Sequence, residues 1–321
     1  MSNDIYVVIE HLRGKVSEIS YLMLAAGRQL AGGSGGGLTA VLLGSNAESL
    51  ASNLAADKVL YFEHENLADF TPEAYVRCLT KLISSDQPRA LLLGHTSIGM
   101  EVANLLSVVT DLPLISSCLS FSSENGNLQY SSQLYGGKIF AEGNIPEPAA
   151  LLTVVPGGYK SEDGQSSSAP PITKAEVPDL SDLKISVTQY IEPESGDVDI
   201  SSEDFLIAVG RGIQLEDNIE IAEELAEVLS GVVCASRPIV DQGWMPTSRL
   251  VGKSGFQVKP KVYLALGISG APEHTEGITG SDTIIAVNTD PLAPIFNIAQ
   301  YGIVEDALDL VPLLTEKIEE S

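Results

Sequence analysis

Short apolar runs recur along the chain, spaced so that one helix fits between each pair. Residues 5–10 (IYVVIE), 38–44 (LTAVLLG), 58–63 (KVLYFE) and 90–95 (ALLLGH) read as buried strands. Between them the apolar spacing becomes helical. It does so over 17–31 through Leu22, Leu24, Ala25 and Leu30, over 46–56 behind an Asn46 cap, over 71–85 behind Thr71–Pro72, and over 96–110. Strands alternating with helices predict a mostly parallel sheet with right-handed crossovers. From Leu114 to Val155 the pattern alternates with Gly and Asn turns and shows no helix, which predicts a mixed or antiparallel strand excursion closing this sheet. Residues 156–171 read as a Gly/Ser/Pro loop, and the run from Lys184 predicts one more strand leading into a polar connector.

The second part repeats the α/β theme. Strands are predicted at FLIAVGRG (205–212), VVCAS (232–236), KVYLALGISG (261–270) and TIIAVN (283–288). Helices follow at 218–233, with Ile221, Leu225, Val228 and Leu229 on one face, and at 303–320. The expected organisation is an N-terminal parallel α/β domain with a mixed strand excursion over 1–195, a boundary near 193–203, and a doubly wound α/β domain over 203–321. Each apolar run of the second part ends in small or polar residues: Gly210-Arg211, Ser236-Arg237, Gly267-Ile268-Ser269 and Asn288. In a doubly wound sheet such strand ends share one edge, where ligands bind. The stretch LGISGAPEHTEG (266–277) places one of only four histidines, His274, in such a loop.

Composition narrows the partners. The 321 residues are 44% hydrophobic and 19% charged, which fits a well-cored globular chain. A net charge of −25 repels nucleic acid and anionic lipid, and either steers toward a basic protein patch or reflects a saline cytoplasm. Cys78, Cys118 and Cys234 are isolated, without metal-ligand spacing, and read as buried free thiols. The N-terminus lacks a secretory pattern, and no apolar run nears the ~20 residues needed to span a bilayer, so a cytoplasmic protein without membrane insertion is expected.

The chain carries little catalytic apparatus of its own. AGGSGGGLTA (31–40) lacks the G-K-[ST] ending and precedes a strand, so it reads as a flexible helix-to-strand connector and not as a phosphate loop. GRGIQLED (210–217) lacks the third glycine of the dinucleotide fingerprint, although Arg211 is placed to meet an anion. G-x-S-x-G and H-E-x-x-H are absent, and no catalytic residue or metal ligand is assigned.

The ordered set GRG, SRPIVDQGWMP, VGKSG, VYLALGISGAPEH and VNTDPLAPIFNIAQYGIVED, from Arg211 to Asp306, resembles the alpha subunit of electron transfer flavoprotein. The resemblance implies one FAD, held mainly by the second domain, and a heterodimer with a beta subunit through the first. It implies an electron carrier, not an independent enzyme, that links flavin dehydrogenases such as acyl-CoA dehydrogenases to a quinone-linked oxidoreductase or other acceptor. A subunit of an NADH-dependent bifurcating complex, an NAD-dependent enzyme and a scaffold without cofactor are the alternatives.

Carried over by position, the resemblance puts Arg211 near the flavin ring and Ser236 against FAD. Val251, Gly252, Lys253 and Ser254 form a turn with the Ser254 hydroxyl near flavin N5. Ser269, Gly270, Ala271, Pro272, Glu273 and His274 wrap the cofactor, with His274 directed at the pyrimidine carbonyl. Asn288, Asp306 and Ala307 lie toward the adenosine end. Lys253 and Glu273 stand where many relatives have glutamine, which implies an altered flavin potential, and Gln300 replaces a more usual acid.

Overall fold

The computed structural model describes residues 2–124, 127–135, 137–190 and 198–320. The chain forms two compact units, Met1–Tyr190 and Ile191–Ser321.

The first unit is built on a nine-stranded sheet. Its elements run β1 (Ile5–Val8), a small hairpin β2 (His11–Leu12) and β3 (Lys15–Val16), α1 (Glu18–Ser34), β4 (Leu38–Gly44), β5 (Lys58–Glu63), α2 (Pro72–Asp86), β6 (Ala90–Gly94) and α3 (Ser97–Thr110). Then follow β7 (Leu114–Glu124), β8 (Asn127–Leu134), β9 (Ile139–Asn144), β10 (Ala150–Val154) and β11 (Ile172–Lys174). The order is β11-β5-β4-β1-β6-β10-β7-β8-β9, parallel except where β8 pairs β7 and β9. The mixed excursion therefore exists as expected. Its return strand β10 does not close the edge but inserts between β6 and β7. Strands β1, β4, β6 and β10 are wholly buried, because helices cover both faces of a parallel sheet; their side chains are apolar except for the buried Thr39 and Thr153.

Three local expectations need correction. The glycine-rich connector is half helix. Residues 31–34 complete α1, and Gly35 at φ +69° returns its N–H to the Ala31 carbonyl as a left-handed cap. Residues 46–56 form only a single 3-10 turn, Glu48–Ala51. Asn46 sits at φ +53°, in the left-handed region and not in the extended conformation of a helix cap, and the Ala47 N–H is satisfied by the Tyr61 hydroxyl at 2.8 Å. Residues 184–190 are not a strand, while 191–195 lie outside the described residues. The edge position beside β5 belongs to β11, where Pro171, which has no N–H to donate, accepts from Val59 N at 2.8 Å.

The second unit contains β12 (Phe205–Val209), α4 (Ile219–Val228), β13 (Val232–Ala235), α5 (Arg237–Asp241), β14 (Val262–Leu266), α6 (Pro272–Thr275), β15 (Thr283–Val287), β16 (Tyr301–Ile303) and α7 (Ala307–Glu319). Its five strands are all parallel, in the order β13-β12-β14-β15-β16. This is a doubly wound sheet whose direction of winding reverses between β12 and β14. Apolar side chains fill both of its faces, one under α4 and α7, the other around Cys234, Tyr263 and Ile295.

Candidate functional site

A winding reversal leaves a crevice beyond the carboxyl ends of the two strands that flank it. In the second unit those ends are Gly210-Arg211 and Gly267-Ile268-Ser269. The backbones meet too closely for side chains there. A Cβ on Gly212 would lie 2.6 Å from the Gly267 Cα, and Gly267 is itself at φ +63°. Gly212 N donates to Gly267 O at 3.0 Å. Arg211 is exposed beside this contact, and its guanidinium has no ion-pair or hydrogen-bond partner among the described residues. In so acidic a chain, an unpaired arginine at a strand end is a ready anion contact.

The neighbouring loops extend the rim. Ser236 is buried at the end of β13 and starts α5 without using its hydroxyl as a cap. The turn Val251–Ser254 lies against the same strand end, with Val251 N donating to Ala235 O at 2.9 Å. Gly252 is at φ +136°, a conformation that suits glycine. Lys253 N then donates to the Glu273 carbonyl at 2.6 Å, sewing this turn to the loop after β14. That loop is fixed on its other side by Ile295 N donating to Ser269 O (3.0 Å) and by Asn288 Nδ2 donating to Ile268 O (2.9 Å). Gly270, at φ +85°, has the Ile295 amide where a Cβ would be. The loops after β12, β13, β14 and β15 thus form one continuous rim along the carboxyl edge.

His274 reaches inward from α6 and is buried. Its Nε2 lies 2.9 Å from the Tyr263 hydroxyl, while its buried Nδ1 has no hydrogen-bond partner. Burial pushes its pKa down to about 4, opposed only in part by the Val251 carbonyl, so the ring is neutral at pH 7. The other three histidines are committed elsewhere. His11 bonds the Leu43 carbonyl, His64 caps a turn, and His95 bridges Thr153 and Ser117.

Three of the expected site residues have local duties. The Asp306 carboxylate caps α7 by accepting from Leu308 N at 2.9 Å, and Ala307 packs into the core beneath that helix. Asn288 also accepts from Asp290 N. One residue that the pattern left as a plain strand end joins the site: Arg237 donates to Ser254 Oγ at 3.1 Å and to Asp241 at 2.6 Å. The sequence signal was its place directly after Ser236.

The first unit has a comparable reversal between β1 and β6, but its own carboxylate fills it. Glu10 is buried before the N-terminus of α3 and accepts the Thr96 hydroxyl through both oxygens, at 2.8 and 2.9 Å. Burial raises its pKa, with bonds from Thr96 and Gly94 opposing. The three thiols are buried and pushed up to about 12, so none is a ready thiolate. Among the described residues no group of acids, histidines and cysteines is placed to hold a metal ion, and no helix is long and apolar enough to cross a membrane.

The rim fits a flavin dinucleotide. Glycine backbones at Gly210, Gly252, Gly267 and Gly270 pack directly on neighbouring loops and hold the rim together, Arg211 supplies an unneutralised charge, and Nδ1 of His274 is an orphaned buried polar atom.

Comparison with known proteins agrees. Residues 5–180 match the electron transfer flavoprotein domain, and residues 199–279 match the electron transfer flavoprotein FAD-binding domain. The electron transfer flavoprotein subunit alpha of Bacillus subtilis is 32% identical over 323 residues, covering 100% of this chain and 98% of that protein. Protein FixB of Clostridium saccharobutylicum is 35% identical over 322 residues, covering 98% of this chain and 96% of its own. Acryloyl-CoA reductase electron transfer subunit beta of Anaerotignum propionicum is 32% identical over 351 residues, covering 99% of this chain and 96% of its own.

Proposed function

Because the chain belongs to the alpha-subunit family of electron transfer flavoproteins, we propose that it forms a cytoplasmic heterodimer and holds FAD along the carboxyl edge of its second unit. FAD binding and an electron-transfer role follow from the family, as does pairing with a beta subunit and with redox partners. The donors are flavin dehydrogenases such as acyl-CoA dehydrogenases, and the acceptor is a quinone-linked oxidoreductase or similar protein. The observation that carries the reading is the continuous rim from Arg211 to Asn288, which brings a free guanidinium, glycine backbone and an orphaned imidazole nitrogen to one edge.

Bound flavin supplies one- and two-electron redox chemistry that no side chain of this rim possesses. The protein binds, orients and sets the charge. Arg211 and Arg237 present positive charge where reduced flavin gathers electron density. The Ser254 hydroxyl, able to donate or accept, serves the N5 position. His274 offers a hydrogen bond to the pyrimidine carbonyl. Ser236, Val251–Lys253 and Ser269–Glu273 present backbone and hydroxyl groups along the cofactor, and Asn288, Asp306 and Ala307 close the adenosine end.

A tagged pull-down from the native cell tests this, reading the visible spectrum and the component masses together. A yellow complex of about 1:1 stoichiometry that releases FAD on denaturation is expected. A colourless chain without a second subunit overturns it.

A further inference from the structure

Tyr263 is the second residue of β14 and is completely buried. Its ring lies among Cys234, Val251, Ile278 and Ile284, an apolar face where its hydroxyl has no water to meet. A buried phenol needs a partner. The partner is His274, whose Nε2 is 2.9 Å from the hydroxyl, the two rings lying 6.0 Å apart and tilted by 53°. Histidine and tyrosine thus form a short buried pair leading from the rim into the core.

The direction of the hydrogen bond in this pair decides what His274 offers to a ligand. A neutral imidazole carries one proton, on Nδ1 or Nε2, and the other nitrogen is a bare acceptor. If Nε2 held the proton, it would donate to the phenol oxygen, and the phenol proton would be left without an acceptor. The bare Nδ1 would then be buried without a donor as well. The opposite arrangement leaves a single group for a ligand to serve. The phenol donates to Nε2, and the imidazole proton sits on Nδ1.

We infer that Tyr263 is a positioning residue, whose hydroxyl donates to Nε2 of His274 and thereby fixes the neutral Nδ1–H tautomer that presents a donor to the electron-rich carbonyl edge of the cofactor. This rests on the FAD reading above. Tyr263 touches no ligand and acts only through His274. Both groups are uncharged at pH 7, since burial raises the phenol and lowers the imidazole. The hydroxyl therefore selects a tautomer and does not neutralise a charge.

The test is nitrogen-15 NMR of the full chain with labelled histidine at pH 7, before and after FAD is added. The His274 signals are assigned among the four histidines by loss in His274→Gln. Wild type is expected to show an unprotonated Nε2 and a protonated Nδ1, and FAD is expected to shift the Nδ1–H resonance. Tyr263→Phe keeps the ring and removes the donor. It is expected to yield a tautomer mixture and to weaken FAD binding about tenfold. An Nε2–H tautomer in wild type, or a tautomer unchanged in Tyr263→Phe, overturns the inference. So does bound FAD that leaves the Nδ1–H signal where it was. A chain that takes up no FAD overturns the cofactor reading, while its tautomer still decides the pairing with Tyr263. Should Tyr263→Phe fail to fold, the wild-type spectrum alone decides between the two tautomers.

Discussion

The Arg237 guanidinium donates to the Ser254 hydroxyl oxygen at 3.1 Å, linking the start of α5 to the glycine turn that follows β13. Asp241 holds the same guanidinium through Nε at 2.6 Å. The charge of Arg237 is therefore delivered through Ser254, the hydroxyl proposed to serve flavin N5.

This link predicts that Arg237→Gln lowers the midpoint potential of bound FAD, because loss of a nearby positive charge disfavours the electron-rich reduced form. A change of about 1.4 kcal/mol corresponds to about 30 mV for a two-electron couple. Ser254→Ala breaks the same link and is expected to shift the potential in the same direction. Redox titration of the purified heterodimer measures both. Potentials unchanged in both variants sever Arg237 and Ser254 from the ring.

Backbone conformation at the rim supports a second prediction. A Cβ on Gly252 would lie 2.6 Å from the Glu273 carbonyl at φ +136°, and one on Gly270 would meet the Ile295 amide at φ +85°. Gly252→Ala and Gly270→Ala are each expected to lose about 2–3 kcal/mol of stability and to release FAD. Gly243→Ala is the control. It shares a positive φ, +77°, but a Cβ there meets nothing within 4 Å, so only the conformational cost of about 1 kcal/mol applies. Urea unfolding midpoints and FAD content measure the contrast, and equal losses at all three positions refute it.

How far the sequence reveals this architecture depends on where the information lies. The strand ends of the second unit were legible because apolar runs stop abruptly at Gly210, Ser236, Gly267 and Asn288, a pattern held within a few residues. The insertion of β10 between β6 and β7 was not, because sheet order is set by contacts distant in sequence. Residues 46–56 carry helical spacing, yet Asn46 takes a left-handed φ of +53° that the spacing does not reveal, and only the turn Glu48–Ala51 winds. Strand β16 escaped notice because all three of its residues are exposed and show no alternation. Tyr263 was hidden as one more apolar letter in KVYLA, and only its buried hydroxyl beside His274 reveals a further role.

Protonation of His274 gives a pH prediction. Its pKa is about 4 in the folded chain against 6.5 unperturbed, so between these values the unfolded state binds more protons. Stability must then fall as pH drops from about 6.5 toward 4, by roughly 3 kcal/mol for this group. Glu10, raised by burial, acts in the opposite sense and favours folding as pH falls. The difference between wild type and His274→Gln isolates the histidine. Urea unfolding from pH 7.5 to 4.5 is expected to show a shallower loss in the variant, and parallel curves contradict it.

Charge beside the glycine turn yields the last prediction. Lys253 Nζ lies 3.6 Å from Glu276 Oε2, with both side chains about half exposed. Such a pair contributes only a few tenths of a kcal/mol to folding, and the bond from Lys253 N to Glu273 O needs no side chain, so Lys253→Gln leaves the fold intact. The potential responds differently. Lys253 directly precedes Ser254, and its positive charge favours reduced flavin, whereas Glu276 and Glu273 flank His274 with negative charge. Lys253→Gln is therefore expected to lower the midpoint potential, Glu273→Gln and Glu276→Gln to raise it, and the Lys253→Gln/Glu276→Gln double variant to fall between the singles. Because the groups are exposed, these shifts shrink with added salt as screening shortens to ~8 Å at physiological ionic strength. Titrations at low and high salt that place all four variants at the wild-type value would show that the flavin ring lies beyond the reach of this turn.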